Sequence, residues 1–225
     1  MLCEYKLTAV VPVKASSSRL PGKNILPFAD SNLLIHKIRQ LKQVDEISEI
    51  LVSSDSPTML EMASQEGVRA EKRPSNLADE SHPFRDLVYH LAELIQTKHL
   101  MWANVTSPTL DAPFYKAAIA QYKVVLDNQY DSLTTVLPFK HPLFDEKGPF
   151  NFNPALDITN TQDLCRLDLW TVGCSIISKD AALKSGFYFG LTPYRMEVTP
   201  YQAIDIDTPF DYEVAKAMWE IYGKK

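Results

Sequence analysis

The sequence predicts an α/β fold of three layers: a Rossmann-like, mainly parallel sheet with helices on both faces. Three observations lead there. Short apolar runs alternate with segments of helical periodicity from residue 5 to residue 138. Cap and stop residues fall between the two kinds of segment. Strands separated by helices are joined by right-handed crossovers, which put helices over both faces.

The elements follow in order. Residues 5–12, YKLTAVVP, form a buried strand, nearly all apolar in its second half. Residues 32–41, NLLIHKIRQL, place Leu33, Leu34, Ile38 and Leu41 on one helical face. EILVSS (49–54) is the second strand. SPTMLEMASQEG (56–67) is a helix, with Ser56 as cap, Pro57 in the first turn and Gly67 at its end. VRAEKR (68–73) is a short third strand, residues 82–97 a helix, HLMWANV (99–105) a fourth strand, residues 112–127 a helix and SLTTVLP (132–138) a fifth strand.

The rhythm then breaks. A stretch rich in Pro, Asn, Asp and aromatics is too apolar for a linker and too interrupted for a helix. It is expected to be a small β-rich excursion, residues 139–172, inserted into a core made of residues 1–138 and 173–225. Regular structure resumes with TVGCSIIS (171–178). YRMEV (194–198) and AIDID (203–207) read as two late strands. TPFDYEVAKAMWEIY (208–222) reads as a closing helix, with Thr208 as cap and Asp211 three residues on.

With 225 residues and 45% hydrophobic content, the chain suits one large globular domain. A net charge of −5 does not steer it toward nucleic acid or an anionic membrane. Its cations must act locally. No stretch approaches the ~18 apolar residues of a membrane span. Glu4 and Lys6 break the amino-terminal apolar run, so no signal peptide is expected. Cys3, Cys165 and Cys174 are odd in number and lack ligand spacing, which reads as reduced thiols in a cytoplasmic protein.

Two segments carry the chemistry. The first is VPVKASSSRLPGKN (11–24), which leaves the first strand with three serines and three cations, Lys14, Arg19 and Lys23. In an open parallel sheet, ligands bind beyond the carboxyl ends of the strands. Backbone N–H groups there cradle phosphate, and Gly22 permits close approach. The loop is neither a P-loop nor a dinucleotide fingerprint. The second segment is AIDIDTPFD (203–211). Asp205 and Asp207 are two apart and point to one face of a strand, with Ile204 and Ile206 toward the core. Two neighbouring carboxylates suit Mg²⁺, which is commonly shared between carboxylates and substrate phosphates. Each segment alone has a bland reading, a solvated loop or a pair of capping aspartates.

These segments resemble the CMP-sialic acid synthetase (acylneuraminate cytidylyltransferase) family, and the resemblance spans nearly the whole chain. The opening loop is similar to the family pattern P-A-R-x-x-S-K-G-[LI]-P-x-K-N. RPSNLADE, NVTSP, TQDL, TVGCSII and IDIDT resemble further family segments, and SSRLPGK is also similar to the sister CMP-ketodeoxyoctonate (KDO) synthetases. The resemblance implies a Mg²⁺-dependent enzyme that transfers CMP from CTP to the anomeric hydroxyl of a 2-keto sugar acid and releases pyrophosphate. By matching position it assigns Lys14, Ser17 and Lys23 to the phosphates, with Arg19, next to Ser18, compensating for the family lysine as a nucleotide-binding residue, and Asn24 and Arg73 to the cytosine and ribose. Asn104 falls to the sugar, and Asp205 and Asp207 to Mg²⁺. Lys14, Lys23 and Asp207 would be catalytic. It also implies a homodimer built on residues 139–172, which would lid the sugar site. Phe139, Phe144, Phe150 and Phe152 would otherwise leave an exposed apolar patch.

The chain departs from the family at Lys14 (arginine in the pattern), Ser18 (lysine), Asn104 (glutamine), Val105 and Thr109-Leu110. These changes spare the nucleotide side more than the sugar side. A pseudaminic or legionaminic type of nonulosonate, a KDO-type acid, and a nucleotide-binding relative with lost turnover therefore stay open. The base that takes the sugar's proton is left between an aspartate and a metal-activated hydroxide. Gln162, Asp163 and Arg166 are candidates to reach a sugar carboxylate, Arg166 by a paired hydrogen bond, against a surface ion pair. Asp55 is read as a helix cap. Asp79 either orders the loop near the base or sits on the surface. His36, His82, His90, His99 and His141 are read as structural.

Overall fold

The computed structural model describes residues 6–79, 81–153 and 161–223. Cys3, the first residue of the expected opening strand and the middle of the 139–172 excursion lie outside them. The elements run β1 (Leu7–Pro12), β2 (Pro27–Phe28), β3 (Ser31–Asn32), α1 (Leu33–Leu41), β4 (Ile47–Ser54), α2 (Pro57–Gln65), β5 (Arg69–Lys72), α3 (Phe84–Leu94), β6 (His99–Ala103), α4 (Ala112–Leu126) and β7 (Ser132–Phe139). Then come β8 (Phe144–Asp145), β9 (Gly148–Pro149), β10 (Leu167–Ser178), α5 (Lys179–Ser185), β11 (Pro193–Glu197) and α6 (Pro209–Tyr222).

Seven strands form one sheet in the order β11-β7-β10-β6-β1-β4-β5. Pairs β1–β4, β1–β6, β4–β5 and β7–β11 are parallel; β10 alone runs antiparallel, to both β6 and β7. The fold is thus the mainly parallel three-layer α/β architecture expected. Its near-continuous apolar strands follow from burial on both faces. In β1, Ala9 and Val11 pack on the layer holding α1, α2, α4 and α6, while Val10 packs on the layer holding α3 and α5. All three are fully buried, each valine contributing on the order of 1.5–3 kcal/mol.

Helix starts follow cap chemistry. Asn32, Ser56, Asp111 and Ser178 each accept a backbone N–H of the first turn of α1, α2, α4 and α5. Thr208 and Asp211 form a reciprocal capping box on α6. The helix expected over 82–97 is shorter, because Pro83 occupies its N-cap position and Ile95 is already extended.

Two expectations are corrected, and one helix is new. AIDID is not a strand: the Ala203 and Ile204 N–H groups bond to Thr199 and Tyr201 carbonyls in a turn, and Ile206 N–H bonds to Thr106 O at 2.8 Å. β11 already occupies that edge of the sheet. The strand containing TVGCSIIS begins at Leu167 and not at Thr171, and it pairs Leu167 with Phe139 in the β7–β10 ladder. The helix α5, absent from the sequence reading, follows it directly.

Candidate active site

The loop after β1 is built to hold an arch in place. Val13 N–H donates to Ser53 O at 3.0 Å, continuing the strand, and Val13 and Leu20 are buried at the two feet. Between them, Ala15 N–H donates to Asp55 Oδ1 at 2.8 Å, and buried Asn24 donates from Nδ2 to Lys14 O at 2.9 Å. Gly22 has φ 66 and leads into a 3₁₀ turn at Lys23–Ile25. A Cβ there would meet nothing within 4 Å, so glycine is needed for its backbone alone. The result presents Ser16, Ser17, Ser18, Lys14, Arg19 and Lys23 to one crevice. Asp55 thus pins this arch; the cap of α2 is Ser56.

The two late aspartates reach the same crevice without a strand. Ile206 between them is fully buried, which turns Asp205 and Asp207 outward together. The Asp207 and Thr208 N–H groups both donate to Asp211 Oδ2, at 3.1 and 2.7 Å, fixing the segment to the start of α6. Asp207 Oδ1 then accepts from Lys23 Nζ at 2.8 Å and from Arg19 at 2.9 Å. The sequence separation of Lys23 and Asp207 is 184 residues, yet they share a hydrogen bond.

Asp205 is different. Burial raises its carboxyl above the usual range, with the charge of Asp207 adding and a hydrogen bond from Thr106 opposing. Its Oδ1 is buried and has no hydrogen-bond partner among the described residues. A buried carboxylate oxygen left empty is costly, and is the kind of group a cation satisfies.

The crevice, about 360 Å³, is completed by Arg73, Asn104, Thr106 and Val172 and by an apolar wall of Phe84, Leu87, Trp102 and Tyr188. Arg73 is buried and donates to Ser53 O at 2.8 Å. Burial lowers its pKa to about 10, opposed by Asp55, so it stays charged near neutrality. Trp102 and Tyr188 lie nearly parallel, 4.6 Å apart, with the Phe84 ring 5.7 and 5.6 Å from them. Burial, with a lesser push from Asp205, raises the Tyr188 phenol, which stays protonated. A second hollow of about 300 Å³ adjoins, sharing Lys14, Arg73, Phe84 and Leu87 and adding Asp79 and His82. Hydrogen bonds from Ser81, helped by His82 and Lys14, hold Asp79 below the usual carboxylate range.

Lys14, Ser17, Arg19, Lys23, Asn24, Arg73, Asn104, Asp205 and Asp207 therefore line one crevice. Asn104 spends its amide on the protein: Nδ2 donates to Val172 O at 2.8 Å and Oδ1 accepts from Trp102 Nε1 at 3.1 Å. Gln162 and Arg166 lie elsewhere. The Gln162 carbonyl accepts from Lys140. Arg166 is ion-paired with Asp168 at 2.8 Å and Glu197 at 2.5 Å, in a surface depression shared with Tyr130, Tyr194 and Arg195. Sequence reasoning missed the aromatic wall and Thr106. Trp102 and Thr106 flank Asn104, a signal that was present; Phe84 and Tyr188 carried none, because only the folded α3 and the loop after α5 bring them here. His36 is buried, as expected of a structural histidine, and its pKa is lowered to about 4 by burial and then by Lys37.

Comparison with known proteins is consistent with this geometry. A family profile described as Cytidylyltransferase matches residues 8–222. The chain is 24% identical to the pseudaminic acid cytidylyltransferase of Campylobacter jejuni, with 96% of this chain and 97% of that one covered. It is 26% identical, with the same coverage, to the CMP-N,N'-diacetyllegionaminic acid synthase of Legionella pneumophila. Among solved structures, a CMP:2-keto-3-deoxy-manno-octonic acid synthetase complexed with CTP shares the fold, with TM-score 0.70 at 16% identity over 96% of this chain and 99% of that one.

Proposed function

The chain belongs to the cytidylyltransferase family, and from that premise we propose that it transfers CMP from CTP to the anomeric hydroxyl of a nonulosonate, releasing pyrophosphate. The observation that carries the reading is the meeting of the basic arch with Asp205 and Asp207 in one crevice, where Lys23 and Arg19 converge on Asp207. That is a site with positive charge for a triphosphate and carboxylates at its edge.

The reaction is an in-line displacement. The sugar's anomeric oxygen forms a bond to the α-phosphorus, the bond to the β-phosphate oxygen breaks, and pyrophosphate leaves with that electron pair. Lys14, Lys23 and Arg19 offset the charge that grows on the α-phosphate and on the leaving group. Ser17 and the backbone of the arch orient the phosphates. Arg73 and Asn24, both held by the protein, border the nucleoside end. The hydroxyl proton passes to a base that the sequence left open. Trp102, Tyr188 and Phe84 give the acceptor end a dry wall that excludes competing water.

Asp205 and Asp207 fit a Mg²⁺ ion, since one carboxylate has a buried empty oxygen and both are hard donors. When bound, Mg²⁺ would supply Lewis-acid neutralisation of the reacting phosphates. Among the described residues no cluster of three or more His, Cys, Asp and Glu side chains is suited to hold a metal, so the remaining ligands would come from the nucleotide and water.

The exposed Phe144, Phe150, Leu169 and Trp170, all within residues 139–172, support a homodimer made through that segment. Light scattering should give twice the 25.5 kDa chain mass. No described helix is long and apolar enough to cross a membrane, and a CTP-consuming enzyme of this kind works in the cytoplasm. Pseudaminic, legionaminic and sialic acids, tested with CTP and Mg²⁺ for pyrophosphate release, should yield a CMP-sugar with at least one. A KDO-type acceptor is the second reading, favoured by SSRLPGK. Turnover with KDO alone would establish it. CTP binding without turnover on any acid, restored by Lys14→Arg with Asn104→Gln, would establish the relative with lost activity.

A further inference from the structure

Beneath the crevice, outside its lining, α1 carries a lysine that the reaction above does not use. Lys37 is fully buried. Its ammonium donates to Ser107 O at 2.9 Å, Leu110 O at 3.3 Å and Tyr115 Oη at 2.6 Å. Three donors meet three acceptors, which is the full capacity of the group. The next residues along the same helix repeat the pattern: His36 Nε2 lies 3.1 Å from Pro108 O, and Gln40 Nε2 donates to it at 2.9 Å. One polar patch of α1 therefore takes up three carbonyls of the turn between β6 and α4. An apolar residue at position 37 would leave two of those buried acceptors empty.

The turn being held is the one that serves the crevice. It starts from Asn104 and Thr106, both in the lining. Thr106 O accepts the Ile206 N–H at 2.8 Å, which fixes the residue next to Asp205, and the Thr106 side chain acts on the Asp205 carboxyl to oppose the rise in its pKa. On its far side the turn presses against β10, where a Cβ on Gly173 would stand 2.6 Å from Leu110 Cδ1 and 3.2 Å from Ser107 Cβ. The turn is wedged between α1 and β10, so its height relative to Asp205 is set from both sides.

We propose that Lys37 is a positioning residue for the transfer: from below, it holds the 107–110 turn so that Thr106 places Asp205 for the metal–nucleotide. This rests on the reading that Asp205 and Asp207 face that ligand. The ionisable groups around Lys37 are His36 on its own helix, Tyr115 and Asp111 of α4 and its cap, and Cys174 of β10. Burial lowers the Lys37 pKa to about 7. The clamp works in either state, since the neutral amine keeps two N–H groups for the carbonyls and accepts from the Tyr115 hydroxyl.

The test uses Lys37→Met, Lys37→Gln and Thr106→Val in the full chain. The readouts are steady-state kinetics and water-proton relaxation with Mn²⁺ and CTP, which separates protein-bound Mn²⁺–CTP from the free chelate. Each single variant should lower kcat about tenfold to a hundredfold, as expected for a misplaced reacting group, with KM for CTP changed less than about twofold. Each should also change the relaxation enhancement of bound Mn²⁺–CTP, reporting an altered metal environment at little-changed affinity. Lys37→Gln combined with Thr106→Val should be no worse than the worse single variant, because both act through one link. Should Lys37→Met fail to fold, Lys37→Gln and Thr106→Val carry the test. Folded Lys37 variants with unaltered kcat and an unaltered relaxation enhancement of bound Mn²⁺–CTP, or a double variant whose losses add in full, would overturn the proposal. Absence of a protein-bound Mn²⁺–CTP signal in the wild-type chain would overturn the metal reading, and this inference with it.

Discussion

Replacing Asp207 by Asn should move nucleotide binding and turnover in opposite directions. Without nucleotide, Asp207 Oδ1 is held by Lys23 at 2.8 Å and Arg19 at 2.9 Å, the same cations that would receive the triphosphate. Metal-free CTP must break these contacts and then sit beside the carboxylate. The Arg19 pair is solvent-exposed, with Arg19 62% accessible, and is worth about 0–1 kcal/mol. The Lys23 pair is better sheltered, with Lys23 14% accessible, and a charge-assisted hydrogen bond of that kind contributes about 1.5–3 kcal/mol. Asparagine keeps an acceptor but removes the charge. Asp207→Asn should therefore tighten metal-free CTP binding by about 2 kcal/mol, roughly 30-fold, while lowering turnover with Mg²⁺. Calorimetric titration of CTP in chelator, beside a pyrophosphate-release assay in Mg²⁺, measures both. A variant that binds metal-free CTP no better than wild type would refute the idea that Asp207 and the triphosphate compete for Lys23.

Three further outcomes follow from the packing. Gly173→Ala should cost about 1–3 kcal/mol by overpacking against Leu110 and Ser107, read as a fall in denaturant midpoint. Thr208→Ala removes half of the capping box that also orients Asp207 N–H, and should cost about 1 kcal/mol in the same assay. The pH profile of stability should carry the signature of α1. His36 refuses its proton down to about pH 4, against 6.5 when unfolded, so stability falls with acidification across that window, by about 1.4 kcal/mol per unit; His36→Gln should flatten it. Lys37 releases its proton near pH 7 when folded but near 10.5 when unfolded, so its contribution rises with pH above 7. Above about pH 9 the Cys174 thiol, pushed up to about 12 by burial, acts in the opposite sense. Lys37→Met should remove the rise between pH 7 and 9.

Much of this site was legible because its chemistry is carried by short contiguous segments. VPVKASSSRLPGKN and IDIDT hold the cations and the carboxylates, and period-two alternation survives in the outcome although the strand does not. Ile206 is buried and its two aspartate neighbours face the crevice because of hydrogen bonds to Thr106 and Asp211, not because of a sheet ladder. What stayed hidden depends on long-range packing. Nothing in TVGCSIIS says that its strand runs antiparallel between β6 and β7. Lys37 looks like an ordinary surface cation in NLLIHKIRQL until the carbonyls of residues 107 and 110 arrive beneath it. Arg166 has the right chemistry for a carboxylate, but Asp168 and Glu197 already supply two from within the chain.

The most direct measurement of the central claim is ³¹P NMR of the purified chain with Mg²⁺, an equimolar mixture of CTP, UTP, ATP and GTP, and a mixture of nonulosonates. CTP alone should be consumed, only when sugar acid is present, with one pyrophosphate and one CMP phosphodiester appearing per CTP lost. Consumption of a different nucleotide, or loss of CTP that does not require the sugar acid, would contradict it.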